Sequence, residues 1–181
     1  MSPAIRMAQS QARTPLPRPR RTWSIVALVC LAAPAYMALS EWSASHAFLI
    51  NSTESLPNWA FLIEKNKTPA RGDYAFFKLP RTPLTEAHFG ANPKPFGKRV
   101  MGMPGDLVTR NGDVVSVNGR AVARMKPLTK RGEILVPGPI GRVPEGCYFM
   151  VTPHPDGFDS RYADIGFICS NAMIGTGVPV L

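Results

Sequence analysis

The run KRVMGMPGDLVTRNGDVVSVNG, residues 98–119, decides the fold class. Three segments within it, KRVMG (98–102), DLVTR (106–110) and DVVSVNG (113–119), are rich in the β-branched residues that suit a pleated, half-buried surface. Pro104-Gly105 marks a turn between the first two. Asn111-Gly112 and Asn118-Gly119 are hairpin signals, because both central residues of a type I′ turn need positive φ. Working outward, YAFFKL (74–79), EILV (133–136), CYFMV (147–151) and GFIC (166–169) read as further short strands. The approach to them, AFLINSTESLPNWAFLIEK, carries no assignment of its own. Residues 80–97 hold four prolines and read as an irregular loop, with TEAHFGA (85–91) as the one weak helix candidate beyond residue 60. Nineteen prolines and fifteen glycines spread along 181 residues suit a loop-rich β protein with no repeat of fixed period. The expected fold is mainly β, a compact barrel or two packed sheets in one domain.

The N-terminal part has another character. From Trp23 to Ser40 there is no charged residue, a run just long enough to cross a bilayer as a helix, and Pro34 within it is tolerable in a membrane helix. The basic cluster RPRRTW precedes this run and Glu41 follows it, so the positive-inside rule puts the N-terminus in the cytoplasm. The expected division is a basic cytoplasmic tail at 1–22, a single-pass transmembrane anchor at 23–41 and an exported domain at 42–181. A cleaved leader ending near Ser45-His46-Ala47 is the rival. The retained anchor is preferred because the run is long for a leader and Trp23 and Trp42 bracket it like interfacial anchors.

Five of the nine net positive charges are arginines in residues 1–40, so the basic character belongs mostly to the membrane-proximal tail. No stretch interleaves arginines with aromatic residues, and neither zinc-finger spacing nor a helix-turn-helix pattern is present, so nucleic acid is not an expected partner. Cys30 lies in the apolar run, where a small hydrophobe suffices, while Cys147 and Cys169 both fall in the part assigned to the exported side.

Amide hydrolysis needs a nucleophile, a base and a donor to the oxyanion. The three histidines, His46 beside the apolar run, His88 in the irregular loop and His154, supply a Ser/His/Asp triad poorly, which turns attention to lysine. Asn51-Ser52-Thr53-Glu54-Ser55-Leu56-Pro57 resembles the nucleophile box of type I signal peptidases, in the N-x-T-x-S-x-P form of TraF-type conjugation peptidases. Lys98-Arg99-Val100-Met101-Gly102-Met103-Pro104-Gly105-Asp106 resembles the K-R-V-x-G-x-P-G-D box of the same family. His154 to Tyr162, HPDGFDSRY, is similar to its third box. Three boxes in the family's order after an apolar segment make a specific combination.

The resemblance implies a serine endopeptidase in the bacterial inner membrane, with its catalytic domain on the periplasmic side and no cofactor or metal. Its partners would be membrane lipid and exported precursors or propilin, and it would cleave leader segments or mature a pilin subunit. Ser55 would attack the scissile carbonyl and neutral Lys98 would take its proton. The Thr53 hydroxyl and the Ser55 N–H would form the oxyanion hole, with Arg99, Asp159, Ser160 and Arg161 as structural support. A free lysine titrates near pH 10.4, so the base role requires burial that lowers this by roughly two to three units. Strand alternation would set Phe96, Lys98 and Val100 on one face.

Two departures from the family pattern stand out. Trp59 replaces a glycine in the continuation of the first box, and Gly157 replaces the serine that commonly orients the lysine, leaving Ser160 or a backbone carbonyl for that task. They make a non-catalytic, membrane-tethered assembly factor the main alternative. A self-cleaving repressor-like protease is disfavoured by the membrane segment. A hairpin centred on Phe158 would set Cys147 opposite Cys169, either bonded or as two separately buried thiols. Ala47-Phe48-Leu49-Ile50 and Trp59-Ala60-Phe61 read either as an apolar rim dipping into the bilayer surface or as ordinary strand core.

Overall fold

The computed structural model describes residues 19–51 and 55–180, with side chains from residue 23 onward. Thr53 and most of the basic tail lie outside the described residues. The chain forms two compact units, residues 1–41 and 42–181.

The first unit carries most of helix α1, Pro19–Ser45, which continues through Pro34. Its Trp23–Ser45 part is apolar and long enough to cross a membrane, with a mean hydropathy of 1.8. The helix therefore runs four residues past the expected end of the anchor at residue 41.

The second unit is mainly β. Its strands are β1 (His46–Ile50), β2 (Ala60–Lys65), β3 (Tyr74–Phe77), β4 (Phe96–Gly102), β5 (Leu107–Asn111), β6 (Val114–Val117), β7 (Arg120–Arg124), β8 (Gly141–Arg142), β9 (Cys147–Val151), β10 (Ile168–Cys169) and β11 (Met173–Pro179). A seven-stranded sheet has the order β1-β2-β11-β3-β4-β9-β10 and a four-stranded sheet the order β7-β6-β5-β8. All the pairings are antiparallel.

β9 explains how the sheets share a core. All five of its residues are buried, and alternation sends them two ways. Tyr148 and Met150 join Ala75, Phe77 and Val100 in one cluster, while Cys147, Phe149 and Val151 join Val108, Val115, Val117 and Val143 of the small-sheet region in another. A strand buried on both faces is a continuous apolar run, as CYFMV is.

The expected Asn118-Gly119 turn is present, with φ of 49° and 79° at its two residues, the type I′ pattern. At the other hairpin Asn111 is the last strand residue, paired with Val114. The turn is Gly112-Asp113, in which only Gly112 has positive φ (58°), so the two-residue loop lies one position later than Asn111-Gly112 suggests. EILV (133–136) is not a strand. Its segment makes two isolated bridges, Leu128 with Ile134 and Pro137 with Tyr162, and Ile134 is 75% exposed. Its apolar residues find no neighbouring strand, and the backbone bonds instead through Leu135 N–H to Pro127 and Ala163 N–H to Val136.

Three strands, β7, β8 and β11, carry no sequence assignment, while β1 and the start of β2 fall on the apolar stretches read either as a membrane rim or as strand core. β11 is central, yet its text MIGTGVP looks like loop. Its glycines reflect packing. A Cβ at Gly177 would stand 2.5 Å from the Phe76 ring and one at Gly97 2.6 Å from it, so β11 and β4 leave room for one aromatic residue on the strand between them. Within the Pro-rich stretch, α2 (Pro83–Phe89) starts two residues before TEAHFGA, with Pro83 in its first turn and Thr82 and Thr85 forming a capping box.

Candidate active site

Lys98 lies in the middle of β4, opposite Ala75 of β3, and is 3% exposed. Alternation along β4 buries Lys98 and Val100 and turns Arg99 outward. The Lys98 ammonium stands 5.6 Å from the Phe96 ring centroid. Burial pulls its pKa down from the ordinary lysine value; the Asp159 carboxylate opposes that pull and the Arg161 guanidinium adds to it.

Asp159 and Arg161 are themselves buried, at 0% and 2% exposure. Arg161 Nε donates to Asp159 Oδ1 at 2.8 Å and Nη2 to Oδ2 at 2.9 Å, a bidentate pair. Burial pushes the Asp159 carboxyl up, while Arg161, Lys98 and the Thr152 N–H pull it back. Arg161 also donates to the carbonyls of Thr152 (2.6 Å) and Arg124 (2.8 Å), so one guanidinium joins the third box to the end of β9 and to β7. Ser160 clips the same loop onto β9: its N–H donates to the Met150 carbonyl and its Oγ accepts from the Met150 N–H, both at 3.0 Å. Arg99 Nε donates to the Gly72 carbonyl at 3.0 Å, on the exposed face of the strand, so its guanidinium anchors β4 to the turn before β3 and stands apart from the Lys98 surroundings.

Ser55 lies in a turn between β1 and β2, immediately before buried Leu56. Asn51 holds that turn together. Its Nδ2 donates to the carbonyls of Leu56 (3.2 Å) and Asn58 (3.0 Å), and its N–H to that of Trp59 at 2.7 Å. The first asparagine of the first box is thus a local clamp. Trp59 does not take positive φ and the residue is 54% exposed, so the local backbone does not demand a glycine there.

Ser55 and Lys98 line one cavity of about 610 Å³, with Ile50, Leu56, Phe96 and Phe158 among its walls. A second cleft, of about 660 Å³, also reaches Ser55 and runs between Phe89, Leu128, Leu135, His154 and Tyr162. Ser55 thus stands where two concave surfaces meet. No group of three or more potential metal ligands occurs among the described residues.

Nothing in the sequence singles out Thr152. It is 0% exposed and follows β9 directly. Its N–H donates to Asp159 Oδ2 at 2.9 Å and its hydroxyl to the carbonyl of Ser55, 97 residues away in the chain. A single threonine after an apolar strand gives no signal of such a contact. Cys147 and Cys169 stand opposite each other in the β9–β10 pairing and are disulfide-bonded.

The sequence profile of the family described as "Signal peptidase, peptidase S26" matches residues 20–181, and the chain belongs to that family. Among curated proteins it is similar to a signal peptidase I of Bacillus caldolyticus, 32% identical over 100 residues that make up 48% of this chain and 54% of the relative. The chain thus matches about half the length of that relative. Among solved structures it is similar to a signal peptidase I of Enterococcus faecalis, 26% identical, with a TM-score of 0.38 over 61% of this chain and 97% of the other.

Proposed function

We propose that this protein is a membrane-anchored serine endopeptidase that cleaves leader segments from exported precursors, with Ser55 as nucleophile and Lys98 as general base. The observation that carries the reading is the shared cavity: a serine in a clamped turn and a buried lysine with a lowered pKa face the same space. Neutral Lys98 Nζ takes the Ser55 hydroxyl proton as Oγ attacks the scissile carbonyl. The protonated amine then gives that proton to the departing nitrogen, leaving an acyl-enzyme that water, activated by the same lysine, hydrolyses. The Ser55 N–H and the Thr53 hydroxyl would stabilise the oxyanion. The two clefts meeting at Ser55 give a polypeptide room on both sides of the bond.

Helix α1 serves as the anchor, with the basic tail in the cytoplasm and the β domain on the exported side, where the Cys147–Cys169 disulfide persists. Within the family, the N-x-T-x-S-x-P box supports a TraF-type role on a conjugation precursor such as propilin.

Co-expression of an exported precursor with the wild type, Ser55→Ala and Lys98→Ala tests the reading. Processing by the wild type alone is expected; equal processing in all three would refute catalysis by this pair and favour the non-catalytic assembly factor.

A further inference from the structure

The space that a side chain at Gly157 would need is already taken. A Cβ built at Gly157 would overlap Thr152 Cγ2 and lie 2.9 Å from Arg161 Nη2 and 3.0 Å from Asp159 Oδ2. Thr152 reaches into this corner from the end of β9 with all its polar groups engaged. Its N–H meets Asp159, its carbonyl accepts from Arg161, and its hydroxyl donates to the Ser55 carbonyl while His154 N–H approaches it at 3.4 Å.

We propose that Thr152 is the positioning residue for the nucleophile: it ties the Ser55–Leu56 peptide to the buried Asp159–Arg161 pair and fills the volume that Gly157 vacates. The proposal rests on Ser55 being the nucleophile. Holding the Ser55 carbonyl restricts ψ of Ser55, and buried Leu56 holds the next residue, so the Cα–Cβ direction from which Oγ projects is set by groups that do not themselves react. Without the Thr152 hydroxyl, the Ser55 carbonyl loses that bond, and the turn keeps the Asn51 clamp and buried Leu56 but not its tie to the Asp159–Arg161 pair. A misplacement of about 1 Å at a reacting atom is worth roughly a hundredfold in rate. The same geometry makes 152 and 157 a coupled pair: serine at 152 keeps the hydroxyl but drops the methyl, which opens room for a side chain at 157.

The test uses the full-length protein in detergent or bilayer and an exported precursor, comparing Ser55→Ala, Thr152→Val, Thr152→Ser, Gly157→Ser and the Thr152→Ser/Gly157→Ser double variant. Thr152→Val keeps the shape and removes the donor, so kcat should fall about ten- to a hundredfold with KM unchanged. Thr152→Ser should stay within about threefold of wild type. Gly157→Ser should lose most activity, and the double variant should recover part of it. Wild-type kcat in a folded Thr152→Val, or a double variant no better than Gly157→Ser alone, overturns the proposal. If Thr152→Val fails to fold, the Gly157→Ser comparison decides alone. If Ser55→Ala cleaves as well as wild type, the proposed function fails, which is a separate result.

Discussion

Asp159 and Arg161 form a bidentate ion pair, Nε to Oδ1 at 2.8 Å, with their side chains 0% and 1% exposed. They are two residues apart in the chain and close to Lys98 in space, so a single short motif supplies both charges that act on Lys98.

Breaking that pair should be expensive. A buried ion pair adds little net stability, but removing one partner strands the other and typically costs about 3–5 kcal/mol. Arg161→Met should therefore lower the denaturant midpoint strongly. Asp159→Leu combined with Arg161→Met should lose less than the two single losses added together. Simple additivity would show that the two charges are not coupled.

The pH dependence of Lys98 has a definite sign. Burial holds its folded pKa below the ordinary lysine value, so between the two values the unfolded chain binds more protons and stability rises with pH. Below the folded value the penalty of burying the charge is present in full. Lys98→Met should therefore stabilise the protein at neutral pH, with the gain shrinking toward pH about 10. In the wild type, precursor cleavage should rise with pH as Lys98 loses its proton. A flat rate profile from pH about 6 to about 10 would argue against lysine as the base.

The disulfide should contribute to folding. Cys147 and Cys169 are 22 residues apart and enclose the third box, and closing a loop of that length in the unfolded chain corresponds to about 3 kcal/mol. Cys147→Ala/Cys169→Ala should lower stability by about that amount in urea melts. An unchanged midpoint would mean that the cross-link does not restrict the unfolded chain.

The sheet end nearest helix α1 in sequence divides the apolar residues read as a rim. Ala47 and Leu49 pack on the cluster of Leu56, Phe61, Ile63 and Phe76, whereas Phe48, Ile50 and Trp59 are exposed. Phe48 lies opposite Leu62, and Leu62 opposite exposed Val178, which places an apolar row across three strands. Phe48→Glu and Val178→Glu should each weaken vesicle binding of the residue 42–181 domain several-fold, while Leu49→Glu should unfold it instead. Vesicle binding that ignores both exposed positions would leave the row without a membrane role.

Much of the fold can be read from propensity. β4, β5, β6 and β9 are β-branched or aromatic runs between turn residues, and each forms where its text suggests. EILV has the same composition but no partner strand, and it remains irregular. β11 has the opposite history. Its glycines lower its propensity, yet it pairs with β2 and β3 on either side, and Gly177 leaves the space that the Phe76 ring fills. Strand propensity is largely a statement about neighbours, and a linear text does not show them.

The candidate site divides in the same way. Ser55 and Lys98 stand out as candidates because each sits in a box whose residue order resembles a family, and the apolar helix because its whole signal lies in consecutive residues. Those local patterns are what the sequence determined by itself. Tertiary structure decided that Lys98 is buried with a depressed pKa, that Asn51 clamps the Ser55 turn and that Cys147 meets Cys169. It also decided that Thr152 occupies the space beside Gly157 and holds the Ser55 carbonyl. Burial and the direction of a hydrogen bond depend on groups brought together from distant parts of the chain, here residues 55 and 152, so they exist only once the sheets have formed.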